Sequence, residues 1–227
     1  MLRRRFIPNA EILLPDGYIR LNYVEATQQQ YIRTGYVPSN TEPYRIVADF
    51  QFTKQSNLRE CIFGKSNHSD NSGTFWFMKT PDGFYGFLRS ACNSKAPEPY
   101  NTQPASTVKF GSPNLARHVF EFIYKNGVYV DGVWIPELTE MACYDDWMTD
   151  IFPNNDFGLF AKWRASKGVQ TDSYANARLY DFAIYDSAGL ARRFIPAQNA
   201  DTGEIGMYEI VNETFHTSET NTPLLGG

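Results

Sequence analysis

The sequence predicts an all-β protein, one antiparallel sandwich of two packed sheets, and three observations carry that reading. The clearest is the run from His118 to Tyr124. There His118, Phe120, Phe122 and Tyr124 fall on one side of a period-two ribbon, and Val119, Glu121 and Ile123 fall on the other. Asn126-Gly127 and Asp131-Gly132 then separate this run from Val128-Tyr129-Val130 and Val133-Trp134-Ile135. Both dipeptides tolerate positive φ, so three short strands joined by primed turns are expected as a meander. A ribbon of this kind is marginal in water and needs a second layer, and 227 residues suit one all-β domain of two layers. The meander is expected to be the centre around which the chain assembles, with Trp134 in the core.

Other elements follow in order. Residues 1 to 17, with Arg3, Arg4, Arg5, Pro8 and Pro15, are expected to form an arm outside the core, and residues 18 to 227 the sandwich. Tyr18 to Thr27 and Gln28 to Tyr36 suit half-buried strands. Between Tyr44 and Phe52, Ile46, Ala48, Phe50 and Phe52 alternate against Arg45, Val47, Asp49 and Gln51. Cys61 to Gly64 is a short apolar strand, followed by a polar loop from Lys65 to Gly73. Thr74 to Met78 and Gly83 to Leu88 are aromatic strands joined through Pro81-Asp82-Gly83, a turn sequence. Ser90 to Thr107 is expected to be a surface excursion, and Pro136 to Asp156 a long acidic loop of the kind that often carries function. Phe157 to Ala161, Ala177 to Asp186, Gly206 to Val211 and Thr214 to Thr217 complete the expected strands.

Composition narrows the function classes. A formal charge of -4 with 15% aromatic residues provides no basic surface for phosphate, so nucleic acid is excluded as an expected partner. Three cysteines, Cys61, Cys92 and Cys143, share no CxxC spacing, which points to ordinary thiols rather than a disulfide framework or a zinc site. The first residues are basic, but Pro8, Asn9, Glu11 and Pro15 interrupt the apolar run after them, so no export signal is expected. No window has the unbroken apolar length of a membrane span, and membrane insertion is not expected.

Three blocks carry a resemblance. YIRLNYVEATQQQYIRTGYVPSN at Tyr18 to Asn40, the KNGVYVDG hairpin, and ARLYDFAIYDSAGLARRFIPAQNADTGEIGMYEIVNETFHT near the end resemble the concanavalin A-like or laminin-G-like (LamG) lectin jelly rolls of phage and gut-bacterial proteins. The resemblance covers nearly all of the chain from Tyr18 onward. It implies a jelly-roll sandwich whose first and last strands meet. It does not imply an activity, because this fold hosts binding modules, adhesins, virion proteins and glycan-cleaving enzymes.

The chemistry is read residue by residue. Glycoside cleavage needs two placed carboxylates, and the Glu-x-Asp-x-x-Glu strand of the laminarinase-like branch is missing; Glu121 and Asp131 read as a solvent-side strand residue and a turn residue. No catalytic residue is therefore expected. Aromatic side chains can stack on sugar rings while polar groups take hydroxyls. The candidate glycan contacts are Trp147, Trp163 and Tyr100, with Asp70 and Asn71 in the polar loop, whereas Trp76 and Tyr85 read as core. Asp145, Asp146 and Asp150, near Asp156, are the weak metal candidates, calcium being the ion suited to clustered oxygens; without an EF-hand spacing they read first as a solvated loop, and no cofactor is expected. His68, His118 and His216 suggest no nucleophile-base pair.

These readings lead to the expectation of a non-catalytic, lectin-like phage virion surface protein, a receptor-binding or a capsid or tail-fibre decoration component. Arg3, Arg4 and Arg5 would dock the arm on other virion proteins, and host-surface glycans would be the ligands. A homo-oligomer is compatible with this, although no heptad supports one. The alternatives are a bacterial cell-surface or secreted carbohydrate-binding module and, third, a glycoside hydrolase or lyase.

Overall fold

Alternation decides which face of each strand is buried. The computed structural model describes residues 12–37, 44–66, 74–90, 108–124, 126–136, 156–164 and 173–227. Among the described residues every regular element is a strand. In chain order these are β1 (Tyr18–Arg20), β2 (Val24–Thr27), β3 (Ile32–Arg33), β4 (Arg45–Phe52), β5 (Glu60–Ser66), β6 (Thr74–Lys79), β7 (Tyr85–Ser90), β8 (Val108–Phe110) and β9 (Arg117–Ile123). They continue as β10 (Gly127–Val130), β11 (Val133–Trp134), β12 (Gly158–Leu159), β13 (Lys162–Arg164), β14 (Asn176–Asp186), β15 (Gly189–Asn199), β16 (Ile205–Glu209), β17 (Thr214–His216) and β18 (Leu225–Gly226).

The larger sheet runs β11-β10-β9-β4-β14-β15-β16-β17, with β1 added on β15 and β2 lying between β14 and β18. The smaller runs β3-β12-β5-β6-β7-β8, with β13 beside β5. All pairings are antiparallel except β13 with β5. The chain is thus an all-β, two-sheet antiparallel jelly-roll sandwich, and its last strand pairs with β2 near the start.

Phenylalanines fill the space between the sheets. Phe63 of β5 lies 5.6 Å from Phe120 and 5.4 Å from Phe182 of the facing sheet, and Phe77 stacks on Phe120 at 4.2 Å. All of these rings are fully buried. One polar tie also crosses the core. Glu60 of β5 accepts from the Asn176 backbone N–H at 2.9 Å and from its amide nitrogen at 2.6 Å, and forms an ion pair with Lys79. Lys79 donates further to the Lys54 carbonyl and to the Ser56 hydroxyl. Every partner in this buried pair is satisfied, which is what such a pair needs in order to persist.

Several expectations require correction. The meander forms, but β9, β10 and β11 lie at one edge of the larger sheet, and the eleven-residue β14 holds its middle. Trp134 is accordingly not in the core: among the described residues β11 is the short outermost strand of its sheet, and the residue is 49% exposed. The first hairpin pairs Ile123 with Gly127, leaving three residues between them where two were expected, while Asp131 and Gly132 do make a two-residue turn at φ 52° and 75°.

The single strand expected from Tyr18 to Thr27 is two. β1 pairs with β15 and β2 with β14 and β18, because the Asn22 and Tyr23 amides turn aside to the Gly227 carbonyl. Of Gln28 to Tyr36, Ile32–Arg33 alone is strand; Gln28 has φ 66° and interrupts the extension. β15 was not expected at all. It contains Pro196, whose carbonyl accepts from Leu21 while its ring leaves no donor to satisfy.

Replacing Phe63 with alanine should cost about 3 to 5 kcal/mol of unfolding free energy, from the lost burial and the cavity it leaves. Trp134→Ala should cost no more than about 1 kcal/mol, since its ring already faces water. Urea titration of both variants, followed by tyrosine and tryptophan fluorescence, checks the ordering; equal losses would return Trp134 to the core.

Candidate functional site

Trp163 owes its position to a reversal of the chain beside β5. β12 runs antiparallel to β5 through Gly158 and Leu159, and the Phe160 amide then donates to the Ile62 carbonyl at 2.8 Å. There the chain turns back, and Lys162 to Arg164 run parallel along Gly64 to Ser66. Phe160 makes the reversal at φ 64°, in the left-handed region that an aromatic residue enters only at a cost. Gly158 leaves the room for it: a Cβ there would stand 3.1 Å from the Trp163 Cβ and 3.0 Å from the Ala161 carbonyl oxygen.

Around Trp163 the structure assembles three further side chains. The Tyr31 ring stacks on the indole at 5.7 Å and 17°, and Tyr174 lies 6.3 Å from Tyr31. The Arg33 guanidinium carbon is 4.7 Å from the Trp163 ring centroid, a cation–π contact. Asp156 holds that guanidinium. Its Oδ1 accepts from Nε at 3.1 Å and from one terminal nitrogen at 2.7 Å, and its Oδ2 accepts from the Gly35 amide at 2.9 Å. The carboxylate is 2% exposed and the arginine 42%, so a buried anchor presents a cation to solvent. The Trp163 indole nitrogen is buried and has no hydrogen-bond partner among the described residues.

Electrostatics are consistent with a partly dry platform. Burial, followed by the Glu219 carboxylate, pushes the Tyr31 phenol above its ordinary value, and burial does the same for Tyr174. The hydrogen bond to Asp156 raises Arg33 further, fixing its charge. Lys65 is fully buried, and burial pushes its amine down to about 7 against the pull of Asp156. The platform offers ring faces, a fixed cation and a set of N–H donors. Asp156, buried and engaged through both oxygens, positions Arg33.

Among the sequence-predicted site residues, Trp163 falls within the described structure. Tyr100, Trp147, Asp70, Asn71, Asp145, Asp146, Asp150, Arg3, Arg4 and Arg5 lie outside the described residues. The strand ends flanking several of them share one end of the smaller sheet. Thr74 pairs with Ser90, Arg164 with Ser66, and Gly158 with both Gly64 and Arg33. Asp156, which the sequence groups with the acidic metal candidates, is an arginine anchor. Trp76 and Tyr85 are buried, as expected.

His118 bridges Asp131 at 2.6 Å and Asn114 at 2.8 Å, and the Asp131 carboxylate also accepts from the Val119 amide, so this group fastens the β10–β11 turn to β9. Glu121 accepts from Arg45 at 2.6 Å. Tyr31 and Arg33 carried a signal that sequence reasoning missed: they are two apart in an extended run, and so share a face. Tyr174 carried none, being non-local to both.

No family model matches this chain, and neither does any curated protein. Among solved structures it is similar to a Bacteroides ovatus protein named "putative carbohydrate binding protein", with a TM-score of 0.54 at 13% identity. The similarity covers 92% of this chain and 60% of that one, so the chain spans 60% of that protein's length. At this identity the likeness is one of fold, a two-sheet β-sandwich.

Because the folded chain favours the neutral Lys65 amine, the unfolded chain binds more protons between pH about 7 and the ordinary lysine value of 10.5. Stability should therefore rise with pH across this window, by up to ~1.4 kcal/mol per pH unit from this group. Lys65→Met should stabilise the protein at pH 6 and lose that advantage toward pH 10. Thermal unfolding of both proteins at the two pH values checks this; a parallel pH profile would contradict it.

Proposed function

We propose that this chain is a non-catalytic, lectin-like module that binds glycans. The observation that carries the proposal is the platform of Tyr31, Trp163 and Tyr174 with Arg33 held out by buried Asp156. Sugars present apolar ring faces and flanking hydroxyls, and an aromatic surface with fixed donors matches both. The name of the Bacteroides ovatus neighbour supports the same class of ligand. Binding rather than cleavage is supported by the commitment of Glu121 and Asp131 to Arg45 and His118.

The proposed setting is a phage particle surface. There the arm of residues 1 to 17 docks through Arg3, Arg4 and Arg5, and the domain faces host glycans. This part of the proposal is supported by the family resemblance of the opening, middle and closing blocks. The likeness to a Bacteroides ovatus protein favours a second setting, a bacterial surface or secreted carbohydrate-binding module with the same ligand surface. Capsid and tail genes beside the coding sequence would select the first, and polysaccharide-use genes the second.

On a glycan array, run with and without calcium, the intact protein should bind a discrete set of glycans. Trp163→Ala and Tyr31→Ala should each weaken binding at the platform about tenfold or more, equivalent to ~1.4 kcal/mol. Unchanged binding by both variants would remove the platform from the proposal, and new reducing ends released from a polysaccharide panel would replace binding with catalysis. Deleting residues 1 to 17 should abolish incorporation into particles, and normal occupancy would dismiss the docking arm.

A further inference from the structure

The outer face of the larger sheet carries a second constellation. Glu25 of β2 pairs in register with Arg178 of β14, Arg178 with Gln51 of β4, and Gln51 with Arg117 of β9. These four residues form one straight row across four adjacent strands, spanning about 14 Å at the usual interstrand spacing. Two phenol rings are set against the row. The Arg178 guanidinium carbon lies 4.1 Å from the Tyr23 ring centroid and that of Arg117 lies 3.8 Å from Tyr180. The rings themselves are 6.0 Å apart, edge to face. The Tyr180 hydroxyl donates to Gln51 at 2.6 Å, and the Gln51 amide donates to the Leu115 carbonyl at 2.7 Å. The planar groups are thereby fixed in orientation, while Arg117 remains 52% exposed.

Two features of this face cost stability and yet are present. The register between β14 and β4 shifts at Leu179/Asp181, a bulge that delivers both Tyr180 and Asp181 to the outer face; bulges re-aim side chains and concentrate near functional sites. The same bulge sets Asp181 directly opposite Asp49. Like charges in that position are destabilising. Here each is clamped by its own guanidinium: Arg117 holds Asp49 through two bonds of 2.7 Å, and Arg193 holds Asp181 with its shortest contact at 2.6 Å. A face needed only to be wet would be served by lysines and threonines in a regular register. Violations of local rules that are then compensated in this way are the signature of a functional surface.

We propose that this row is a second glycan-binding surface, specific for an uncharged oligosaccharide lying across β2, β14, β4 and β9. Each guanidinium in the row already has a carboxylate, Glu25 for Arg178 and Asp49 for Arg117, so the surface offers no unbalanced cation to an acidic sugar. It offers instead donors and acceptors side by side, the pattern that a hydroxyl matches by both donating and accepting. The two tyrosines supply ring contact. With the Trp163 platform on the other sheet, the chain would hold glycan at two separate places, and avidity would follow for any polysaccharide long enough to reach both.

The test is calorimetric titration with cellohexaose, xylohexaose and mannohexaose, and with hexagalacturonic acid as the acidic arm. It uses the intact protein and Tyr180→Ala, Arg117→Ala and Trp163→Ala. At least one neutral hexaose is expected to bind Trp163→Ala, with affinity unchanged when sodium chloride is raised about tenfold, and to lose roughly tenfold or more when Tyr180→Ala or Arg117→Ala is added to that variant. Tyr180→Phe keeps the ring and should retain binding, which separates loss of ligand contact from loss of fold. No neutral hexaose binding to Trp163→Ala overturns the second surface and leaves the platform standing. Equal binding when Tyr180→Ala is added to Trp163→Ala also overturns it, as does salt-sensitive binding confined to the acidic sugar. Binding lost in Tyr180→Ala but untouched in Trp163→Ala would sink the platform and keep the second surface.

Discussion

The register among β9, β4 and β14 is the constraint on which the rest of the molecule depends. Side chains alternate with period two, so a slip of one residue would exchange the two faces of a strand. In β4 it would drive Arg45, Asp49 and Gln51 into the layer of Phe63, Phe77 and Phe120 and push Phe50 and Phe52 into water. The interlocked phenylalanines therefore do more than supply burial. They make a single register far better than its neighbours, and that register lines up Glu25, Arg178, Gln51 and Arg117 on the outside. The bulge in β14 is tolerated because its effect falls on the outer face: Leu179 and Phe182 both remain in the core on either side of it.

Costly features are not spread evenly. The positive φ of Phe160, the buried amine of Lys65 and the buried carboxylate of Asp156 all lie near one end of the smaller sheet, close to Trp163. At the opposite end of β5 a buried charge pair is fully satisfied, with Glu60 and Lys79 tied to Asn176, Ser56 and the Lys54 carbonyl. The contrast separates two uses of buried charge. One joins the sheets and leaves nothing over, whereas the other holds an arginine out toward water beside an indole whose N–H has no partner among the described residues. Strain that is held in place by surrounding structure and adjoins half-buried aromatic groups is more readily explained by recognition than by stability.

Local signals in the sequence were enough for the fold class and for most strands. Alternation between Tyr44 and Phe52 and the Asp131-Gly132 turn are decided by neighbours a few residues away, and both are seen in the structure. Legibility ended where an element's fate depends on what lies beside it. Trp134 has the composition of a core residue and is exposed because, among the described residues, β11 is the outermost strand of its sheet. β14 looks like one amphipathic strand among several, and is central because β2, β4 and β15 all choose it as a partner. The site was harder still. Trp163 stood out as an aromatic near loop sequence, but its partners come from positions 31, 33, 156 and 174, and no local pattern joins them. The row on the larger sheet was visible as alternation and invisible as a row, because cross-strand registers had to be known first.

The facing of Asp49 and Asp181 bears on whether the outer row binds or cleaves. Directly opposed cross-strand residues have Cβ atoms about 4.5 to 5.5 Å apart, which approaches the carboxyl separation of retaining glycosidases. Burial also pushes Asp181 above its ordinary value, as a general acid would require, with the Asp49 charge adding to the effect. Asp49, however, has each of its oxygens on a separate nitrogen of Arg117 at 2.7 Å, which stabilises its charge and makes it a weaker nucleophile. Arg193 grips Asp181 in a similar way and opposes the upward shift. Breaking such clamps leaves a buried charge uncompensated, at a cost of several kcal/mol before any bond to a sugar is altered. The same clamps cost binding nothing, because they orient guanidinium and phenol planes before the ligand arrives. A recognition surface uses the arrangement as it stands, with Arg117 and Arg193 already held in place by their carboxylates.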